Sequence, residues 1–194
     1  MRPSLLRRLP DFHILAEGPL SEACRRLDLQ TFPQAAEHVH LLPYGRTAQL
    51  GDYSAILDEG RGTCSTKHAF LAGLALEHEF DELELRLGIY FMNEENTPGV
   101  GEVLARYHLS QLPEAHTYLR YQSDYFDFTF PGTSGSAQPH KWLYQQSLDP
   151  EEIVEMKPAV HRHFLEQWIT EYFLPLSVER AWAIREECIG VLSR

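Results

Sequence analysis

The stretch Ala69–Leu76 constrains this chain most, because all eight of its residues are apolar or glycine. Eight residues make about two turns of helix, and a helix with no wet face has to be buried on all sides. The run is too short to span a bilayer, which takes about 20 apolar residues, so other parts of the chain must wrap it. A polar, glycine-marked segment, Leu57-Asp58-Glu59-Gly60-Arg61-Gly62-Thr63, leads into it. The helix therefore starts near Cys64, and its first turn carries a cysteine.

Around this helix the pattern changes. Leu83, Leu85, Leu87, Ile89 and Phe91 alternate with Glu82, Glu84, Arg86, Gly88, Tyr90 and Met92, a period of two that predicts a strand with one face inward. Ala115–Tyr121 and Tyr125–Phe130 read as two further strands, joined as a hairpin through Gln122, Ser123 and Asp124. Helices are expected at Ser21–Leu29 with a serine cap, at Phe32–Leu42, and briefly within Val100–Leu109. Two more are expected at Pro158–Phe173 and at Val178–Leu192, the last capped by Ser177. No composition shift marks a boundary, so a single α+β domain over residues 1–194 is the expectation.

Charge and cysteine content exclude several function classes. Seventeen basic residues against 28 acidic ones give a formal charge of −11, which disfavours nucleic acid and anionic membranes as partners. No apolar stretch follows the arginines of the first ten residues, so no signal peptide is read there, and a cytoplasmic location is expected. Cys24, Cys64 and Cys188 are too scattered for a disulfide framework or a thiolate zinc site. The histidine pairs His38/His40 and His161/His163 are spaced two apart on expected helices, so their rings diverge. No metal or other cofactor is expected.

Cys24 and Cys188 read as small apolar core residues, but Cys64 stands where chemistry is favoured. Unpaired amides and the helix dipole at a first turn favour a thiolate. Gly60 and Gly62 allow a tight turn and close approach of a substrate, and the Cys64 amide can donate to an oxyanion. Gln49 is a chemically suitable second donor, although its position also suits an ordinary surface glutamine. His68, one turn on, reads as a polar contact or as exposed. The better base is His116. With an even hairpin loop, even positions of the first strand share a face with odd positions of the second, which puts His116 beside Asp127. The opposite face then gathers Thr117, Leu119, Tyr121, Phe126, Phe128 and Phe130 into the core, and Asp124 falls in the turn. A carboxylate beside a histidine fixes its tautomer and stabilises the imidazolium that keeps a thiolate ionised.

Three strings carry a family likeness. Gly62-Thr63-Cys64-Ser65-Thr66-Lys67-His68-Ala69 resembles the glycine-x-cysteine helix start of transglutaminase-like proteins of the bacterial type. Ala115-His116-Thr117-Tyr118-Leu119 resembles their histidine strand, and Tyr125-Phe126-Asp127-Phe128-Thr129 their aspartate motif. The spacings, 52 residues from Cys64 to His116 and 11 from His116 to Asp127, fit that layout. Tyr118 stands where the family commonly has tryptophan, and Phe128 where proline often follows the aspartate. The likeness covers about residues 50–131. It implies a papain-like α+β fold in which a buried cysteine helix packs on an antiparallel sheet, with extra N- and C-terminal helices around that core.

It also implies a Cys64–His116–Asp127 triad that works through a thioester on a peptide, protein or small amide substrate. Water as acceptor makes the chain an amidase or protease; an amine makes it an acyl transferase. A catalytically silent transglutaminase-like binding or scaffold domain is the alternative from another class. Neither the substrate nor the oligomeric state is legible in the sequence.

Overall fold

The computed structural model describes residues 3–133, 135 and 141–192, and the chain is α+β with a four-stranded antiparallel sheet of order β3-β2-β1-β4. The strands are β1 (Leu83–Met92), β2 (Leu112–Tyr121), β3 (Asp124–Phe126) and β4 (Tyr144–Leu148). The helices are α1 (Pro3–Leu6), α2 (Pro19–Arg26), α3 (Phe32–Leu41), α4 (Ile56–Glu59), α5 (Cys64–Leu76), α6 (Gly101–Arg106), α7 (Met156–Glu171) and α8 (Val178–Leu192), with a 3-10 turn at Pro150–Val154. The chain divides into two compact units. The first comprises Met1–Leu87, Thr117–Gln138 and Gln146–Val154; the second comprises Gly88–His116, Pro139–Gln145 and Glu155–Arg194.

In the first unit α5 is the centre, as its composition demands. Thr63 caps it in a reciprocal capping box with Thr66, and every residue from Cys64 to Ala75 is buried except Ser65. Leu76, at the end of the apolar run, is 47% exposed, so the enclosure stops one residue short of the expected point. Helices α2, α3 and α4 and the 3-10 turn pack around α5.

The start of α2 departs from expectation. Ser21 lies inside the helix, and the N-cap is Gly18, which has no side chain to offer. The Glu77 carboxylate, from the end of α5, takes the cap's place: it accepts from the Leu20 and Ser21 amides at 2.9 and 2.8 Å and from the Ser21 hydroxyl. A tertiary partner thus satisfies donors that local sequence reasoning assigned to a serine.

The β2–β3 hairpin has the expected parity. Leu119 pairs with Phe126, Arg120 with Tyr125 and Tyr121 with Asp124 around the two-residue loop Gln122-Ser123. Thr117, Leu119, Phe126 and Phe128 are buried, Tyr121 and Phe130 half-buried, and Tyr118, expected on the other face, is buried too. The second strand is shorter than expected and ends at Phe126. Its successor, Asp127, accepts the Thr129 amide at 2.9 Å and the Thr129 hydroxyl. Aspartate that bonds the backbone two residues on makes a turn in place of a ladder.

In the second unit the core is formed by Tyr90, Met92, Val100, Val103, Leu104, Leu112, Leu165, Trp168, Ala181, Ile184 and Cys188. The far half of β1 is therefore covered on both faces. Leu83 to Leu87 alternate as expected, but from Gly88 on the alternation is lost: Gly88, Ile89, Tyr90 and Met92 are buried and Phe91 is only partly buried. Gly88 explains part of this: a Cβ there would lie 2.3 Å from the Trp142 ring. Helix α8 has the expected bounds, with Ser177 Oγ accepting the Arg180 amide at 3.2 Å. Beneath it Arg185 forks onto buried Glu114, donating from Nε at 2.8 Å and from Nη2 at 2.6 Å. His161 Nε2 meets the Pro113 carbonyl at 2.7 Å.

Candidate functional site

The segment that presents Cys64 is pinned on its entry side. Gly60 ends α4 in the left-handed region, at φ 64°, making the tight turn that its neighbourhood predicts. The Gly62 amide donates to the Pro43 carbonyl and the Gly62 carbonyl accepts from the Gly45 amide, both at 3.2 Å. Gly62 has a different reason to be glycine from the one read in sequence. A Cβ there would come within 2.8 Å of the Lys67 stem, so close internal packing requires it.

Cys64 takes the first helical position of α5, immediately after the Thr63 cap, and is 7% exposed. Its sulfur lies 3.9 Å from the Ser65 hydroxyl. No disulfide joins any of the three cysteines. Burial pushes the Cys24 thiol up to about 12, with Glu77 adding, and the Cys188 thiol up to about 11, with Glu114 adding. Those two thiols are protonated at neutral pH and behave as core residues.

His68 sits one turn along from Cys64 and is fully buried. Its Nδ1 lies 2.7 Å from the Cys64 carbonyl oxygen, and its Nε2 lies 2.8 Å from the Phe128 nitrogen. The Phe128 N–H can only donate, so Nε2 is the unprotonated nitrogen and the Nδ1 proton goes to the Cys64 carbonyl. Both nitrogens are thereby committed, and His68 has no lone pair left to act as a base toward the Cys64 sulfur. Its Nε2 is also 3.7 Å from Asp127 Oδ1. In this tautomer those atoms are two acceptors, and no ion pair forms between them.

Lys67, which sequence reasoning passed over, is fully buried. Its ammonium donates to three backbone carbonyls, Leu42 at 2.6 Å, Thr129 at 2.9 Å and Phe128 at 3.1 Å. Burial lowers its pKa to about 8, against the opposing pull of Asp127 and Cys64. The signal in the sequence was a cation one turn inside a helix that has no wet face to give it.

Asp127 is half-buried, its Oδ1 held by Thr129 and its amide donating to the Gly135 carbonyl at 3.0 Å. It lies one residue past the end of β3, so the turn fixes its position and strand alternation does not extend to it. His116 is half-buried on β2, edge-on to Tyr90 with ring centroids 6.4 Å apart. Of the three residues singled out in sequence, Cys64 and Asp127 belong to the first unit and His116 to the second. Gln49, the upstream oxyanion candidate, is exposed. Among the described residues no group of three or more His, Cys, Asp or Glu is placed to hold a metal ion, and no helix is long and apolar enough to cross a membrane.

No family model matches the chain, and neither a curated protein nor a solved structure matches it.

Proposed function

We propose that this protein is a cysteine-dependent amide hydrolase or acyl transferase of transglutaminase-like type, with Cys64 as nucleophile, His116 as base and Asp127 as the carboxylate that orients His116. The observation that carries this reading is Cys64 at the capped first turn of a buried helix, with the Asp127 segment fastened to the next turn of that helix. The committed nitrogens of His68 support it further by removing the nearest alternative base.

In the proposed reaction His116 takes the Cys64 proton, and the thiolate attacks the acyl carbon of an amide. The tetrahedral intermediate collapses as the imidazolium returns the proton to the leaving amine, leaving a thioester on Cys64. His116 then deprotonates water or an acceptor amine, which attacks the thioester and releases an acid or a new amide. The Cys64 amide lies at a helix start, where N–H groups can meet a developing oxyanion.

Iodoacetamide labelling mapped by mass spectrometry at mildly acidic pH tests the nucleophile. Selective modification of Cys64 over Cys24 and Cys188, suppressed by His116→Ala, is the expected result. Slow, equal labelling of all three would remove the activated thiolate and leave the silent binding or scaffold domain as the reading. A screen of acyl donors with water and amine acceptors then decides between hydrolysis and transfer.

A further inference from the structure

We propose that Lys67 is a positioning residue: together with His68 it clamps the segment that begins at Asp127 to the Cys64 end of α5, and its ammonium is the cation that Cys64 and Asp127 share. The proposal rests on the reading of Cys64 and Asp127 as working residues.

The geometry is that of two consecutive residues gripping two consecutive residues. Lys67 donates to the carbonyls of Phe128 and Thr129, and His68 accepts the amide of Phe128. The far end of the His68 ring is tied to the Cys64 carbonyl. Cys64 and the residue after Asp127 are thus bridged by a single imidazole, and the third Lys67 bond, to Leu42, anchors the ammonium from α3's end. Three carbonyls around one nitrogen call for a cation, because an ammonium has three N–H donors while a neutral amine has two and a lone pair. A buried cation is a poor device for stability alone, since an apolar side chain of similar volume serves a core at least as well.

The charged and titratable groups that face Lys67 are Cys64 from its own helix, Asp127 from the clamped segment and His40 from α3. With its pKa brought down to about 8, mainly by burial, Lys67 is charged at neutral pH and loses its third donor as pH rises through that value. The stability contribution runs in the opposite direction. A lysine with a depressed folded pKa adds stability as pH rises from about 8 toward the unfolded value. Local loosening at Phe128 and Thr129 without loss of global stability therefore separates a positioning role from a structural one.

The test pairs the variant Lys67→Met with a pH titration of the wild-type protein by amide NMR. In the variant, Cys64 alkylation at pH 7 is expected to fall by about tenfold, the effect of one pKa unit on a thiolate, with Cys24 and Cys188 labelling unchanged as a control for folding. In the wild type, the Phe128 and Thr129 amide shifts are expected to titrate with a midpoint near 8. A folded variant whose Cys64 labels within about twofold of wild type overturns the proposal. Amide shifts at Phe128 and Thr129 that stay flat through that range overturn it even where the variant does not fold. Unselective labelling of wild-type Cys64 with a clear amide titration would instead sink the proposed enzyme and leave the clamp standing.

Discussion

The buried pair Glu114–Arg185 gives the most quantitative test of the second unit. Glu114 is buried on β2, and desolvation alone would push its carboxyl up. Arg185, with His161 and Lys157 adding, holds it down to about 2 against an ordinary 4.5. That depression corresponds to about 3 kcal/mol of stability at neutral pH. Removing one partner of a buried pair and leaving the other unpaired independently suggests about 3–5 kcal/mol. Glu114→Gln keeps the shape and removes the charge, so both routes predict a loss of about 3 kcal/mol.

The assay is built into the chain, because Trp142, Trp168 and Trp182 are its three tryptophans and all belong to the second unit. Urea unfolding followed by tryptophan fluorescence therefore reports on that unit. Because the folded pKa is depressed, the gap between wild type and variant should be complete above pH 4.5 and close as pH falls toward 2. A gap under about 1 kcal/mol at pH 7, the range of an exposed pair, would refute the reasoning. So would a gap that stays the same from pH 7 to pH 2.5. Replacing both residues by apolar ones, as in Glu114→Leu with Arg185→Met, should recover most of the loss.

Burial lowers His161 to about 4, partly opposed by Glu114, so the neutral ring contributes stability above 6.5 that is lost as pH falls toward 4; His161→Gln should flatten that limb of the urea midpoint. Glu77→Ala strips three acceptor contacts from the start of α2 and should cost about 2–3 kcal/mol as a lost cap plus a buried hydroxyl, read as faster hydrogen exchange at α2 amides. Gly88→Ala places a methyl against Trp142 and should destabilise by about 1–3 kcal/mol through overpacking, seen as a lowered urea midpoint with shifted tryptophan emission.

Legibility in the sequence followed how local the cause was. The bounds of β1 and α8 were readable because alternation, the Ser177 cap and helical periodicity lie within the elements themselves. The early end of β3 was not, since Asp127 reads equally well as a strand residue until its carboxylate is seen on Thr129. Phe91 was misplaced because periodicity predicts one buried face and is silent on helices that cover the other. At the candidate site, Cys64 at a helix start was legible from Gly60, Gly62 and the apolar run. The roles of Lys67 and His68 were not, because the contacts that tie them to the Asp127 segment are to backbone groups 60 to 62 residues away. The likeness of three short strings to a family remains the source of the proposed triad.

The interleaving of the two units bears on how the chain acquires its structure. Each unit is assembled from three separated stretches, and both β1 and β2 pass from one to the other within a single strand. On the ribosome the first unit lacks its last stretch until Val154 has emerged, by which time two of the three stretches of the second have been made as well. The first unit therefore closes only after a long part of the second has been made, through contacts distant in sequence, and such topologies fold slowly. Until then α5, with α2, α3 and α4 already made, still lacks the cover of the 3-10 turn Pro150–Val154, which makes the nascent chain, more than the finished protein, the species most prone to aggregate.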